Sequence, residues 1–154
     1  MGSRTFDYRG RLRLLILHAV EEGYTHGYSI MKYLENIIGH SPGAGAIYPH
    51  LKFLREAGFL EVVPKVTAGE RMVKEYRITE EGRRYLEARR KELQETLGLI
   101  EGFRILRELG WDELVKRIKS LIKTLPSMSE EGREEVRSLL KGFIEGLDKV
   151  VKGG

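Results

Sequence analysis

Residues 41–58 read Ser41-Pro42-Gly43-Ala44-Gly45-Ala46-Ile47-Tyr48-Pro49-His50-Leu51-Lys52-Phe53-Leu54-Arg55-Glu56-Ala57-Gly58. A capping serine followed by proline in the first turn is a helix start signal. At 100° per residue, Ala44, Ile47, Leu51, Leu54 and Gly58 form one stripe, which predicts the buried side. The opposite face carries Gly45, Tyr48, Pro49, Lys52 and Glu56. Pro49 removes one backbone hydrogen bond and is expected to bend the helix slightly. The segment thus offers one side to a core and keeps a tyrosine and a lysine, one turn apart, on the other.

Working upstream, residues 26–38 hold Ile30, Met31, Leu34, Ile37 and Ile38 on one amphipathic face. Thr25 is the expected N-cap, and Gly39-His40 breaks the helix. Before it, residues 9–22 are apolar almost all round, through Leu12, Leu14, Leu15, Ile16, Leu17, Ala19 and Val20. Such a helix belongs in the middle of a core. Gly23 is its expected stop.

Downstream, residues 59–66 and 71–79 are β-rich runs joined by Thr67-Ala68-Gly69-Glu70, which predicts a β-hairpin. Pro64 suits an edge position. Two strands alone are marginal, so the hairpin must lean on the helices. Thr79-Glu80-Glu81 caps a long helix that can extend as far as Leu109, with Gly98 and Gly102 as candidate bends or close-contact points. Its interior-type residues are Leu86, Leu93, Leu97, Ile100, Phe103 and Leu106. Two further amphipathic helices are expected near residues 112–124 and 130–151, the last with an apolar stripe from Val136 to Val151.

The order helix, helix, helix, hairpin, helix is that of a winged helix-turn-helix. The expected fold is mainly α with a small β-hairpin: a winged-helix domain over residues 9–82 and a C-terminal helical dimerisation region over residues 83–152.

At this point the chain resembles the PadR family of regulators. The matching stretches are His26-Gly27-Tyr28, Ser41-Pro42-Gly43, residues 45–51, residues 54–60 and Tyr76-Arg77-Ile78-Thr79-Glu80-Glu81-Gly82. The resemblance implies a homodimeric DNA-binding repressor, its third helix in the major groove and its hairpin wing along the backbone or minor groove. Tyr48 and Lys52 are the expected contacts on that helix, with Gly45 and Ala46 allowing close approach. Amides near Ser41, Gly43 and Gly45 would receive a phosphate, as would the hydroxyl of Tyr28. On the wing, Lys65, Arg71 and Lys74 supply positive charge. Arg55 and Arg77 also read as ordinary solvated charges, and Tyr76 and Ile78 as core anchors of the wing. Two positions depart from the family pattern. Ala46 stands where a serine or threonine is frequent, and Glu70 and Glu75 dilute the charge of the wing.

The C-terminal helices carry more apolar face than a small neighbouring domain can cover, so pairing with a second copy is expected. A dimer would present two reading helices to a roughly palindromic operator. The resemblance also allows a small-molecule effector at that interface, lined by Phe103, Trp111 and Phe143; packing is the simpler account of these side chains.

Composition bounds the alternatives. The 154 residues are 41% hydrophobic and 32% charged, as in a well-ordered globular chain. The net charge of +4 permits nucleic-acid binding without showing it, because residues 1–82 carry only +1 of it. There is no cysteine, so disulfides and thiolate chemistry are excluded. His18, His26, His40 and His50 lack a ligand pair of metal-site spacing. No nucleophile elbow or phosphate loop is present, so no enzyme and no cofactor are expected. No apolar run spans a bilayer, and Met1-Gly2-Ser3-Arg4-Thr5-Phe6 lacks a signal or myristoylation pattern, which suggests a cytoplasmic protein. Asn36 and Gln94 are the only side-chain amides, a bias expected of a thermophile. The rival to a DNA-binding regulator is a winged-helix protein-interaction module without specific DNA binding.

Overall fold

The computed structural model describes residues 8–40 and 42–154. Ser41, expected both as a helix cap and as a phosphate contact, lies outside the described residues. The chain forms two compact units, one ending at Leu106 and the other spanning Arg107–Gly154. The first therefore extends well past Gly82.

In the first unit, α1 (Tyr8–Glu21) is the central helix. Leu12, Leu14, Leu15, Ile16, Leu17, Ala19 and Val20 are all buried, so every side of it meets protein. Around it pack α2 (Gly27–Ile38), α3 (Ala44–Glu56), the strands β1 (Leu60–Val66) and β2 (Met72–Ile78), then α4 (Glu80–Ala88) and α5 (Arg90–Glu108). Ile30 and Leu34 enter the core from α2, and Ile47, Leu51 and Leu54 enter it from α3.

Both interhelical joints differ from the expected caps. The N-cap of α2 is His26 rather than Thr25. Ser29 Oγ accepts from the His26 amide at 3.1 Å and donates to its carbonyl at 2.9 Å. The Thr25 carbonyl is committed elsewhere, accepting the Tyr76 amide at 2.7 Å and tying β2 to the loop before α2. The N-cap of α3 is Gly43, not Ser41, at φ 74° and ψ 156°. That backbone favours glycine, and the helix begins one residue later. Ala44, expected in the buried stripe, is exposed. Gly58 lies beyond the end of α3 at φ 79°, where the Phe59 amide closes back on the Leu54 carbonyl at 2.9 Å.

β1 and β2 pair antiparallel from Leu60 opposite Ile78 to Val66 opposite Met72. In the connecting turn Glu70, not Gly69, takes the left-handed conformation, at φ 56°. Behind the hairpin, Thr79 Oγ1 accepts the Gly82 amide at 3.0 Å and donates to the Gly58 carbonyl at 2.6 Å. This hydroxyl joins the end of α3 to the start of α4.

The helix expected to run from residue 80 to 109 is two helices. Arg89, at φ −116° and ψ 19°, separates α4 from α5, while Gly98 and Gly102 lie within an unbroken α5. Tertiary contacts on both sides of Arg89 account for the break. Its guanidinium lies 3.9 Å from the Tyr85 ring centroid, and Tyr85 stacks on Phe59. Arg90 grips both carboxylate oxygens of Glu21, at 3.0 and 3.2 Å, and bonds Glu87 at 3.0 Å. Leu86 and Leu93 then reach the core from successive helices, each fully buried. Farther along α5, Phe103 and Leu106 are exposed rather than interior.

The Arg90 fork has a pH signature. Its hydrogen bonds hold the Glu21 carboxyl below the usual carboxylate range, against the opposing effect of burial. A carboxylate with a depressed folded pKa stabilises the protein above its unfolded pKa of about 4.3, and that stability is lost as pH falls through the folded pKa. Arg90→Ala is expected to cost about 1 kcal/mol at pH 7, the upper end for a surface pair because the fork is bidentate. The gap to the parent should close on acidification to about pH 3. Thermal melts of both proteins across that range check it, and a gap independent of pH contradicts it.

The second unit consists of α6 (Trp111–Thr124), a 3-10 turn (Leu125–Ser127) and α7 (Glu130–Gly153). Ser129 caps α7, accepting the Gly132 amide at 3.2 Å. Along α7, Leu139, Leu140, Phe143, Ile144, Leu147, Val150 and Val151 are all exposed.

Candidate nucleic-acid interface

The outward side of α3 is set by what its inward side uses. With Ile47, Leu51 and Leu54 spent on the core, Gly45, Tyr48, Pro49, Lys52 and Glu56 are left facing out, and all five are exposed. Tyr48 is not loose on that face. A Cβ added to Gly27 would sit 2.9 Å from its hydroxyl oxygen, so the ring lies directly against the first turn of α2. A larger residue at Gly27 would push the ring aside. Lys52 stands 3.9 Å from Glu56 with both side chains well exposed, a weak pair readily exchanged for another anion.

Between α3 and β2 runs a groove of about 270 Å³ lined by Tyr48, Leu51, Lys52, Arg55, Lys74 and Tyr76. Arg55, which reads from sequence as an ordinary solvated charge, lines this groove as well. Tyr48, Lys52 and Arg55 are spaced i, i+4, i+7, which places all three on one helical face. That spacing was the available signal. Tyr76 closes the floor of the groove, and burial raises its phenol pKa.

On the wing the expected cations divide. Arg71 and Lys74 are exposed and pair with no carboxylate among the described residues. Lys65 instead lies 3.3 Å from Glu75, as does Arg77. Hydrogen bonding to Lys65, reinforced by Arg77, lowers the Glu75 pKa, so the positive charge of this part of the wing is partly offset. Tyr28 is strongly exposed near the start of α2, and Gly43 and Ala46 are half-buried around the start of α3.

A basic helix face flanked by a basic hairpin groove is the layout of a winged-helix DNA reader. Comparison with known proteins agrees with it: residues 16–88 match the transcriptional regulator PadR-like family. Over those residues the chain is similar to the PadR-like transcriptional regulators. The transcriptional regulator YqjI of Escherichia coli is 33% identical to this chain over 91 residues, which are 58% of this chain and 42% of YqjI. The chain thus matches less than half the length of that relative. A Thermoplasma acidophilum protein solved as a candidate transcriptional regulator is 28% identical, with a TM-score of 0.52, over 61% of this chain and 90% of its own. A transcriptional regulator from Clostridium thermocellum is 25% identical at a TM-score of 0.50, covering 62% and 94%. PadR-like proteins are transcriptional regulators and not enzymes.

Of the remaining expected ligand residues, two share a groove. Trp111 and Phe143 line an apolar groove of about 640 Å³ between α6 and α7, with Leu114, Ile118, Leu139 and Leu140. Phe103, on α5, belongs to the first unit. One group of metal-type ligands does come together among the described residues, His18, Glu21 and Glu22, with atoms within 4.8 Å. Glu21 already spends both oxygens on Arg90. No helix among the described residues is long and apolar enough to cross a membrane.

Proposed function

We propose that this PadR-like regulator is a sequence-specific repressor that binds a roughly palindromic operator as a homodimer. The observation that carries the reading is the groove in which Tyr48, Lys52 and Arg55 of α3 meet Lys74 of the wing. An α-helix fits the major groove, and its outward tyrosine and cations reach base edges and phosphates there. Lys74 and Arg71 then lie along the backbone. Tyr28 and the amides near Gly43 and Gly45 add phosphate contacts at the start of α3, and Ala46 permits close approach.

The division of labour follows. The winged-helix residues grip DNA, and the C-terminal helices pair two copies. The exposed apolar stripe on α7 from Leu139 to Val151 supports pairing, since about 18 Å of apolar helix face left in water is a liability that a two-fold interface removes. A dimer whose reading helices sit about 34 Å apart matches two half-sites one DNA turn apart and, once bound, excludes polymerase. The groove holding Trp111 and Phe143 is where an apolar effector would enter. A cytoplasmic site of action follows from the DNA partner.

The partly offset charge of the wing, where Glu75 takes up Lys65 and Arg77, favours a second reading, a winged helix that docks protein only. Salt separates the two. Binding to duplex DNA, followed by fluorescence anisotropy, is expected to weaken between 50 and 200 mM salt. The slope of log affinity against log salt should be about −0.9 for each phosphate engaged. A duplex affinity indifferent to salt, or none at 50 mM, returns the protein-docking reading.

A further inference from the structure

On the side of α3 away from the wing, a second groove of about 360 Å³ separates it from α1. Arg9, Arg13, Gly45, Ala46 and His50 line it, and among the described residues no acidic side chain does. Arg9 and Arg13 are four residues apart, so both project from one face of α1. Neither pairs with a carboxylate among the described residues.

Arg13 is held in place. Its guanidinium lies 3.5 Å from the centroid of the Phe53 ring, and its Nε donates to His50 Nδ1 at 3.4 Å. These contacts fix the plane of the fork and leave its terminal nitrogens for another acceptor. A half-buried guanidinium with an aromatic face and a neutral imidazole as its neighbours has no counter-charge among the described residues. Across the groove, Gly45 has open space where a Cβ would be, so a ligand can approach the α3 backbone closely.

We propose that Arg9, Arg13 and His50 form a phosphodiester seat for the DNA strand opposite the one met by the wing. The inference rests on the DNA-binding reading and extends it from one flank of α3 to both. A helix lying in a major groove about 12 Å wide has a sugar-phosphate backbone on each side. The groove of Lys52, Arg55 and Lys74 takes one, and the α1–α3 groove takes the other. Phosphate is the matching chemistry because a planar fork binds two of its oxygens while an exposed second arginine adds charge. The surroundings of His50 fit as well. Burial first, then the charges of Arg13 and Arg9, push its pKa below the usual imidazole range, so in the free protein the ring serves Arg13 as an acceptor. An arriving phosphate would offset that positive field.

The test uses the full chain with Arg9→Gln alone and with Arg9→Gln plus Arg13→Gln, because Arg13 also packs on Phe53 and Arg9 does not. Duplex affinity is measured from 50 to 200 mM salt on preferred and scrambled sequences. The expected result is a salt slope shallower by about 1 for the single variant and by 1 to 2 for the double. Affinity should fall by a similar factor on both sequences, since backbone contacts position without reading bases. Parental slopes in both variants overturn the seat while leaving the duplex reading intact; no duplex binding by the parent chain overturns both. Inorganic phosphate added at matched ionic strength distinguishes the other source. If it shifts the His50 ring resonances in the free protein while the variants keep parental slopes, the groove binds free oxyanion and the proposal is wrong.

Discussion

Gly82→Ala is expected to destabilise the protein by about 2 to 3 kcal/mol, although alanine is the better helix former. On helix propensity alone the exchange would gain about 1 kcal/mol. The space for it is taken. A Cβ at Gly82 would sit 2.1 Å from the Phe59 carbonyl oxygen and 2.9 Å from Ile78 Cγ1. The first of these is backbone, held by the Thr79 amide at 3.1 Å, so relief requires α4 to move off the hairpin. That movement would break the Thr79 hydroxyl link between Gly58 and Gly82 and loosen Leu86 from the core. Overpacking of this kind costs 1–3 kcal/mol and more when it is backbone that must shift, roughly, which exceeds the propensity gain. Gly98→Ala is the matched comparison. Gly98 lies inside α5 with nothing within 4 Å of the added carbon, and there the exchange should be neutral or stabilising. Urea unfolding of the two variants beside the parent decides it. A Gly82→Ala midpoint equal to that of Gly98→Ala would mean that α4 seats on the hairpin less tightly than its geometry indicates.

The close approach at Gly82 also marks how far the sequence could be read. Patterns carried by a single helix were legible. The all-apolar run of α1 announced a central helix, and the stripe of Ile47, Leu51 and Leu54 announced which side of α3 faced out. Pairwise tertiary choices were not. Gly98 and Gly102 drew the expected bend because glycine is the weak helix residue. The break came at Arg89 instead, where Tyr85, Glu21 and Glu87 hold the side chains on either side of it. Thr25 has the chemistry of an N-cap, but its carbonyl was needed by Tyr76, and His26 with Ser29 took over. Charge counting hid the interface for a related reason. Residues 1–82 are close to neutral because Glu75 and Glu56 stand beside Lys65 and Lys52, yet Arg9, Arg13, Arg71 and Lys74 have no such neighbours among the described residues. The surface potential depends on which acids sit beside which bases, and sequence order does not state that.

If α3 reads DNA as proposed, Tyr48→Ala combined with Lys52→Ala should remove sequence preference while leaving the fold and the oligomeric state of the parent in place. The two side chains project from the same turn of α3 into one groove with Arg55 and Lys74, so they act on the same stretch of DNA. Lys52 contributes charge. Its bond to Glu56 is long and exposed, so a phosphate can displace it cheaply, and removing it should make the salt slope shallower by about 1. Tyr48 contributes position. Its ring rests on Gly27, which aims the side chain before DNA arrives, so little ordering entropy opposes binding. Losing a positioned base-edge contact typically costs about 1–3 kcal/mol of discrimination, or roughly 10- to 100-fold in the ratio between preferred and scrambled duplexes. Folding should be nearly untouched, because Tyr48 is 48% exposed and the core stripe of α3 is elsewhere. Far-UV circular dichroism and sedimentation mass should therefore match the parent while the ratio of affinities collapses toward one. Tyr48→Phe alone separates the two parts of the tyrosine: it keeps the ring against Gly27 and removes only the hydroxyl. If the double variant retains the parental affinity ratio, α3 does not read the operator, and the groove shared with Lys74 is a surface that DNA does not enter.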